Sequence, residues 1–407
     1  MRAASLDSRD APSQDAKLRD LLAALVGFDT TSAKSNLPLI QFVERYLRDQ
    51  GIPSTRVASP DGAKADLFAT IGAGAGGIGL SGHSDCVPVE GQTWTGDPFV
   101  LTERDGNLYG RGTCDMKGFL ACVLASVPLF KSRDLKEPIH IVISYDEEVG
   151  CTGVRPLIAR LGRDLPRPRA VIVGEPTSMR VIDAHKRIDA YRTRVTGREA
   201  HSSMPELGVN AIAAASALIG ELERIGADIA TRQDDRRFEP PCSTITVGTI
   251  RGGTAPNIVP KHCEFQWQVR SLPSAKAGEV PHGLDVFTKE KLLPRMRQSG
   301  GKAAIETETQ GSVPAFVAAP GSAAVALALK LTGAKEAHAV SYTTEAGLFE
   351  QAGIPSVICG PGDIAQAHAA DEFVSVDQLD ACTGFLARLA DLLATDQASA
   401  KEAGSKR

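Results

Sequence analysis

His83 and Asp85 stand two residues apart in SGHSDCVPV, Asp115 lies in GRGTCDMKG, Glu147 and Glu148 are adjacent in SYDEEVG, and Glu175 sits in VGEPT. All are imidazoles or carboxylates, the groups that bind divalent cations and move protons. Three of these four segments follow short apolar runs directly: GIGLSGH (77–83), HIVISY (140–145) and AVIVGE (170–175). Asp115 instead enters a helical stretch. Ligands of open α/β sheets gather outside the carboxyl ends of the strands, so the four segments are expected on one rim. Carboxylates crowded there repel one another and hold protons unless a cation lies between them. Two cations sharing one carboxylate need a second histidine. His368, in GPGDIAQAHAADEFV, also follows a strand-like run, SVIC (356–359). Histidines 140, 262, 282 and 338 lack acidic company and read as structural or surface residues.

The elements that must position these groups are legible as periodicity. DAKLRDLLAALV (15–26) and LPLIQFVERYLRDQ (37–50) are apolar at helical spacing, the second ended by Gly51 and Pro53. Short buried-looking strands and a helical stretch from Met116 to Phe130 then alternate, which predicts an α/β domain with a mainly parallel sheet. From about Ile188 the character changes. DAYRTRVTG (189–197) alternates with period two, a helix runs from Val209 to Ile225, and STITVGTI (243–250) and HCEFQWQV (262–269) read as strands. A helix near 283–297 and a strand KAAIETET (302–309) complete a βαββαβ order, the ferredoxin-like pattern. The reading is one domain, 1–187 with 311–407, carrying an inserted α+β domain, 188–310. The last helix is expected at Asp377–Ala394, ahead of a polar tail that frays.

Composition narrows the classes. Of 407 residues, 43% are hydrophobic and 23% charged, which excludes a largely disordered chain. A net charge of −4, without a dense Lys/Arg cluster, argues against nucleic acid as a partner. No apolar run is expected to reach the roughly 20 residues that span a bilayer. The opening MRAASLDSRDAPSQDAK has no apolar core, so the expectation is a cytoplasmic protein without membrane attachment. Eight scattered cysteines contain no CxxC pair and do not form a disulfide framework. Cys86 and Cys114, each beside an acidic candidate, are read as packing behind the site.

IGAGAGGIG matches GxGxxG at Gly72, Gly74 and Gly77, but a dinucleotide loop must open a helix. Here it runs into another strand, so it reads as a hairpin turn, and a nicotinamide oxidoreductase is set aside. HExxH, GxSxG and Walker patterns are missing.

Together GHSDCVPV, YGRGTCDMKG, SYDEEVG, VGEPTS, AHSS, NIVP and the late His368 resemble the M20 family of dinuclear zinc aminoacylases and carboxypeptidases, over nearly the whole chain and in order. GTCDMKGF, GEPTSMR, AHKR (184–187) and TEAGLF (344–349) are similar, within it, to the members that deacetylate N2-acetyl-L-ornithine. The resemblance implies a zinc-peptidase-like catalytic domain with an inserted dimerisation or lid domain, a homodimer, and two divalent metal ions per subunit, zinc with cobalt as the alternative. It implies that Asp115 bridges the metals, His83 and Glu175 complete one, and Glu148 and His368 the other. Glu147 is then the general base, and Asp85 orients His83 through its carboxylate.

The resemblance further implies that His201 polarises the substrate carbonyl, although the residues alone also allow a strand-end histidine capped by its serines. Asn257 and Arg270 would contact the substrate carboxylate; Arg270 reads equally as an exposed strand arginine. Thr344, Glu345 and Gly347 would line the substrate pocket, with Glu345 meeting a distal ammonium. The implied reaction yields L-ornithine and acetate in arginine biosynthesis. A succinyl-diaminopimelate desuccinylase, another N-acyl-amino-acid deacylase or a dipeptidase stays open, as does a non-catalytic binding protein on the same scaffold.

Overall fold

The computed structural model describes residues 14–298 and 302–394. Most of the opening segment and the polar tail expected to fray lie outside them. The described residues fold into two compact units, the first comprising 14–183, 318–338 and 344–394. It begins with α1 (Gln14–Val26) and α2 (Leu37–Asp49). Pro38 sits in the first turn of α2, where a missing N–H costs nothing, and Leu39, Ile40, Val43 and Leu47 make its buried face. Strands β1 (Ser54–Ala58), β2 (Ala65–Ile71) and β3 (Ile78–His83) follow. Then come α3 (Gly118–Ala125), α4 (Val127–Ser132), β4 (Ile139–Ser144) and β5 (Ala170–Pro176). Every residue of β3, β4 and β5 is buried, as parallel strands covered on both faces must be.

Two glycines let α3 seat directly on this sheet. A Cβ on Gly174 would lie 2.1 Å from the Phe119 ring, and one on Gly82 would lie 2.8 Å from Met116 Cε. The close seating brings the turn Thr113–Lys117, which leads into α3, against β3 and β5. Against expectation, the chain does hold an apolar run of the length a bilayer needs. Thr113–Ser132 is a 20-residue apolar run with mean hydropathy 1.4, long enough to span a bilayer. Its most apolar window is 89% buried inside the protein, so its hydrophobicity is spent on the core.

The second unit holds residues 184–317 with 339–343. In it β6 (Arg187–Thr196), α5 (Ala211–Arg232), β7 (Thr244–Gly252) and β8 (His262–Ser271) are followed by α6 (Glu279–Phe287), α7 (Leu293–Gln298) and β9 (Ala304–Val313). The strands pair antiparallel in the order β7-β8-β6-β9. This is the βαββαβ arrangement, with the second helix interrupted between α6 and α7 by a wider turn at Thr288–Leu292. Asn210 caps α5 by accepting from Ala213 N at 2.9 Å. Val195, Phe265, Trp267 and Val269 alternate inward from the sheet onto Leu218, Leu222 and Leu284. The unit is a few residues wider than 188–310 because β6 starts at Arg187 and β9 pairs as far as Val313 opposite Ile188. Ser341 also bonds the Glu239 carbonyl at 2.6 Å, which draws 339–343 into it.

The first unit is completed by α8 (Ala323–Thr332), α9 (Ala346–Gln351), β10 (Ser356–Gly360) and α10 (Val376–Leu393). Its strands run β1-β2-β4-β3-β5-β10, with β4, β3, β5 and β10 parallel and β1 and β2 antiparallel to their neighbours. The 72–77 loop is therefore not the hairpin turn expected of it. β4 lies between β2 and β3, because its wholly buried strand IHIVIS needs cover on both faces.

Candidate metal centre

The parallel strands end on one side, and the chemistry-bearing residues lie at those ends. His83 closes β3, Glu147 and Glu148 follow β4, Glu175 is next to last in β5, and His368 comes after β10. Asp115 arrives from the turn ahead of α3. Among the described residues, two groups of three each place one donor atom within 4.8 Å of the others: His83, Asp115 and Glu175, and Asp115, Glu148 and His368. Asp115 belongs to both, through different oxygens. Its Oδ1 lies 3.0 Å from His83 Nε2, and its Oδ2 lies 3.3 Å from His368 Nε2. Glu175 Oε1 is 3.8 Å from the same His83 nitrogen, and Glu148 Oε2 is 3.0 Å from that of His368. One carboxylate shared between two imidazole–carboxylate groups is what a pair of neighbouring cations requires.

Hydrogen bonds behind the donors set their orientation. His83 Nδ1 donates to the Asp85 backbone carbonyl at 2.9 Å, which turns Nε2 toward Asp115 and Glu175. The Asp85 carboxylate was expected to do this, but it stands 3.6 Å away. It accepts instead from Ser32 Oγ at 2.7 Å and from the amides of Glu147 and Glu148 at 3.2 and 3.3 Å. Asp85 thus orients His83 by its main chain and fastens the Glu147–Glu148 turn by its side chain.

Glu372 was not read from the sequence, where it is one acid ahead of the run FVSV. It is 1% exposed, as is Arg111. Its Oε1 accepts from the amides of Cys114 and Asp115 at 2.9 and 3.0 Å. Its Oε2 accepts from the Gly112 amide at 3.0 Å and from Arg111 Nη1 at 2.7 Å. A residue four places beyond His368 therefore holds the backbone that carries Asp115. Cys86 and Cys114 stay outside both donor groups, and the Cys114 thiol bonds the Asp363 carbonyl at 3.3 Å.

The electrostatics fit cations. Burial lifts Glu147, Glu148 and Glu175 above the usual carboxylate range, and Asp115 lifts Glu148 and Glu175 further. Burial acts to raise Asp115 as well, but the two histidines on its oxygens hold it below that range. Burial would depress His83, yet Asp115 and Glu175 keep it well above its ordinary value. Hydrogen bonds to Asp115 and Glu148 raise His368 to about 10. Alone, this set must gather protons to offset its charge; two divalent cations at the two groups would take their place. Two imidazoles with carboxylate oxygens suit zinc and cobalt alike.

Beneath this rim lies a buried polar layer. Thr344 and Glu345 are 0% and 1% exposed, and Gly347 is buried in α9. Ser81, two residues before His83, donates to Glu345 Oε2 at 3.3 Å. Glu345 therefore lies under the donors, as deeply buried as His83. Both Asp66 oxygens, Ser144 Oγ and Glu345 Oε1 have no well-formed hydrogen bond. Burial, then the charge of Glu345, pushes Asp66 up to about 9. Unfolded, the same group releases its proton near pH 4. Between those values each step up in pH favours the unfolded chain, whose carboxyl ionises first. Asp66→Asn has no proton to lose there. Thermal denaturation should show it several degrees more stable than the parent at pH 8, with the gain shrinking toward pH 5. Equal melting shifts at both pH values would show that Asp66 ionises freely when folded.

His201, Asn257 and Arg270 belong to the second unit. The exposed His201 accepts at Nδ1 from the Ser203 amide at 3.2 Å, with Ser203 Oγ at 2.8 Å, so Nε2 carries the ring proton. Ser202 N donates to the Asn257 carbonyl at 3.0 Å, and His201 bridges to Ile258, which joins the two loops. Arg270 is half-buried in β8, on the sheet face away from Val269 and the helices.

Comparison with known proteins agrees with this geometry. The model of peptidase family M20/M25/M40 matches residues 79–392. An acetylornithine deacetylase of Myxococcus xanthus is 36% identical over 385 residues, covering 91% of this chain and 96% of that protein. One of Pasteurella multocida (strain Pm70) is 34% identical over 377 residues, with the same coverage. Among solved structures, an M20 family metallo-carboxypeptidase from Sulfolobus solfataricus superposes with a TM-score of 0.74 at 17% identity, covering 93% of this chain and 99% of that one. A Bacillus subtilis protein described as a dinuclear metal binding peptidase of the M20 family gives 0.65 at 18% identity, covering 94% and 99%. At such identities the two structures speak for the fold.

Proposed function

From a chain that belongs to peptidase family M20/M25/M40, and is thereby a metal-dependent hydrolase acting on amides, we infer an enzyme that removes the acetyl group of N2-acetyl-L-ornithine. The observation that carries the substrate is the run of relatives named acetylornithine deacetylase, 34–36% identical over 87–91% of the chain. The chemistry rests on the two donor groups that share Asp115.

His83, Asp115 and Glu175 would hold one divalent ion, and Asp115, Glu148 and His368 the other. Bound there, the ions supply Lewis acidity that polarises the amide carbonyl and lowers the pKa of water toward neutrality. Glu147 is the chain's own proton carrier. It takes the proton released as water attacks the carbonyl and delivers it to the departing amine nitrogen, giving acetate and L-ornithine. Its place outside both donor groups leaves its carboxylate for that work. The acetyl group, the amino acid and the place in arginine biosynthesis are parts of this reading.

The test is ornithine release from N2-acetyl-L-ornithine by metal-stripped enzyme, with and without zinc or cobalt, beside succinyl-diaminopimelate and N-acetylmethionine. Metal-dependent turnover highest on acetylornithine is the expected result. Metal-dependent turnover highest on another substrate keeps the hydrolase and moves the substrate. Bound metal without turnover on any of the three would overturn the acetylornithine reading.

A further inference from the structure

The turn after β4 does more than present Glu147. The Gly150 and Cys151 amides both donate to the Glu147 carbonyl at 2.9 Å, and Thr152 N donates to the Asp146 carbonyl at 3.1 Å. Cys151 has φ +51 and Gly150 φ +112, so the chain doubles back within four residues. It returns so closely that a Cβ on Gly153 would sit 2.0 Å from the Tyr145 carbonyl oxygen. The consequence is a side-chain contact: the Cys151 thiol lies 3.2 Å from Glu147 Oε1 and donates to it. Cys151 is 1% exposed. Burial and the adjoining Glu147 carboxylate keep the thiol protonated, as a donor must be. A thiol this deep among carboxylates is neither a nucleophile nor a ligand of the two donor groups.

We propose that Cys151 is a positioning residue for Glu147, its S–H holding Oε1 so that Oε2 is the oxygen that exchanges the proton with water and amine. The proposal rests on Glu147 being the base. A thiol is a weak donor, so the contact orients more than it stabilises. A flexible glutamate loses rotamer freedom when one oxygen is tied, and productive geometry becomes a larger share of its time.

The experiment compares Cys151→Ala, Cys151→Ser and Glu147→Gln, each loaded with zinc, on N2-acetyl-L-ornithine and N-acetylmethionine, with metal content measured on each. Alanine and serine meet the same left-handed backbone, so the pair differs in the donor and little else. Cys151→Ala is expected to lower kcat roughly 3- to 10-fold with KM and metal content unchanged, and Cys151→Ser to recover most of it. The S–H stretching band of Cys151 in infrared difference spectra should shift in Glu147→Gln. Unchanged kcat in Cys151→Ala, or equal losses in the alanine and serine variants, would overturn the positioning role while leaving Glu147 as base. Full turnover by Glu147→Gln would overturn both, and an unmoved S–H band would refute the contact itself.

Discussion

A Glu147→Gln enzyme should lose about 10²–10⁴ in kcat while binding as much metal as the parent. The expectation follows from which atoms hold what. Glu147 belongs to neither donor group, so the exchange removes no ligand. Its backbone amide, not its side chain, is what Asp85 Oδ1 fastens at 3.2 Å, so the turn that carries Glu148 keeps its place. Glutamine has the same shape and can hydrogen-bond, but it cannot accept a proton from water and return it to an amine. Metal content by plasma emission, read beside kcat, separates the outcomes. A loss of metal would make Glu147 a ligand. A kcat within tenfold of the parent would assign proton transfer to another group, with Glu175 and Glu148, both lifted by burial, the next to examine.

The donors were legible because each follows a structural rule that acts at short range. A histidine or acid that closes or follows a largely apolar strand run must emerge at that strand's end, and four parallel strands bring their ends to one rim. His83, Glu148 and Glu175 are placed that way, Asp115 by its entry to a helix, and His368, in the loop after β10, by the need for a second imidazole. The topology that collects them was less open to reading. The position of β4 between β2 and β3 depends on which strand is covered on both faces, and a glycine-rich loop between two strands reads as a hairpin whether or not a third strand comes between.

Roles that pass through the main chain were harder still. Asp85 was assigned to His83 through its carboxylate, since side-chain types are what a sequence displays; its carbonyl does the orienting. Glu345 shows the opposite case. An acid in a motif reads as a contact for a cationic substrate, and nothing nearby in the chain announces that Ser81 of β3 receives it in the interior. Burial of that kind is settled by residues hundreds of positions apart. Glu372 is the extreme, because three of its four partners are backbone amides at 112, 114 and 115, and amides have no letter of their own.

That makes Glu372 the sharper trial of how the site is built. Glu372→Ala leaves Arg111, itself 1% exposed, without its carboxylate, and leaves three amides of the Asp115 turn without an acceptor. Removing one member of a buried ion pair costs about 3–5 kcal/mol, so the melting temperature should fall by several degrees. Support of this kind behind a metal ligand is worth about 10–100-fold in metal affinity, and Asp115 serves both groups. Titration of the stripped variant with zinc is therefore expected to show both ions bound more weakly, not one alone. A second exchange separates the two effects. Arg111→Met in the Glu372→Ala background removes the stranded charge and should recover much of the stability, since apolar replacements of buried pairs are often neutral. It restores no acceptor to the amides of Cys114 and Asp115. Metal affinity should stay low in the double variant while its melting temperature rises. Recovery of both together would mean that the ion pair, and not the carboxylate's hold on the turn, keeps Asp115 where two cations can share it.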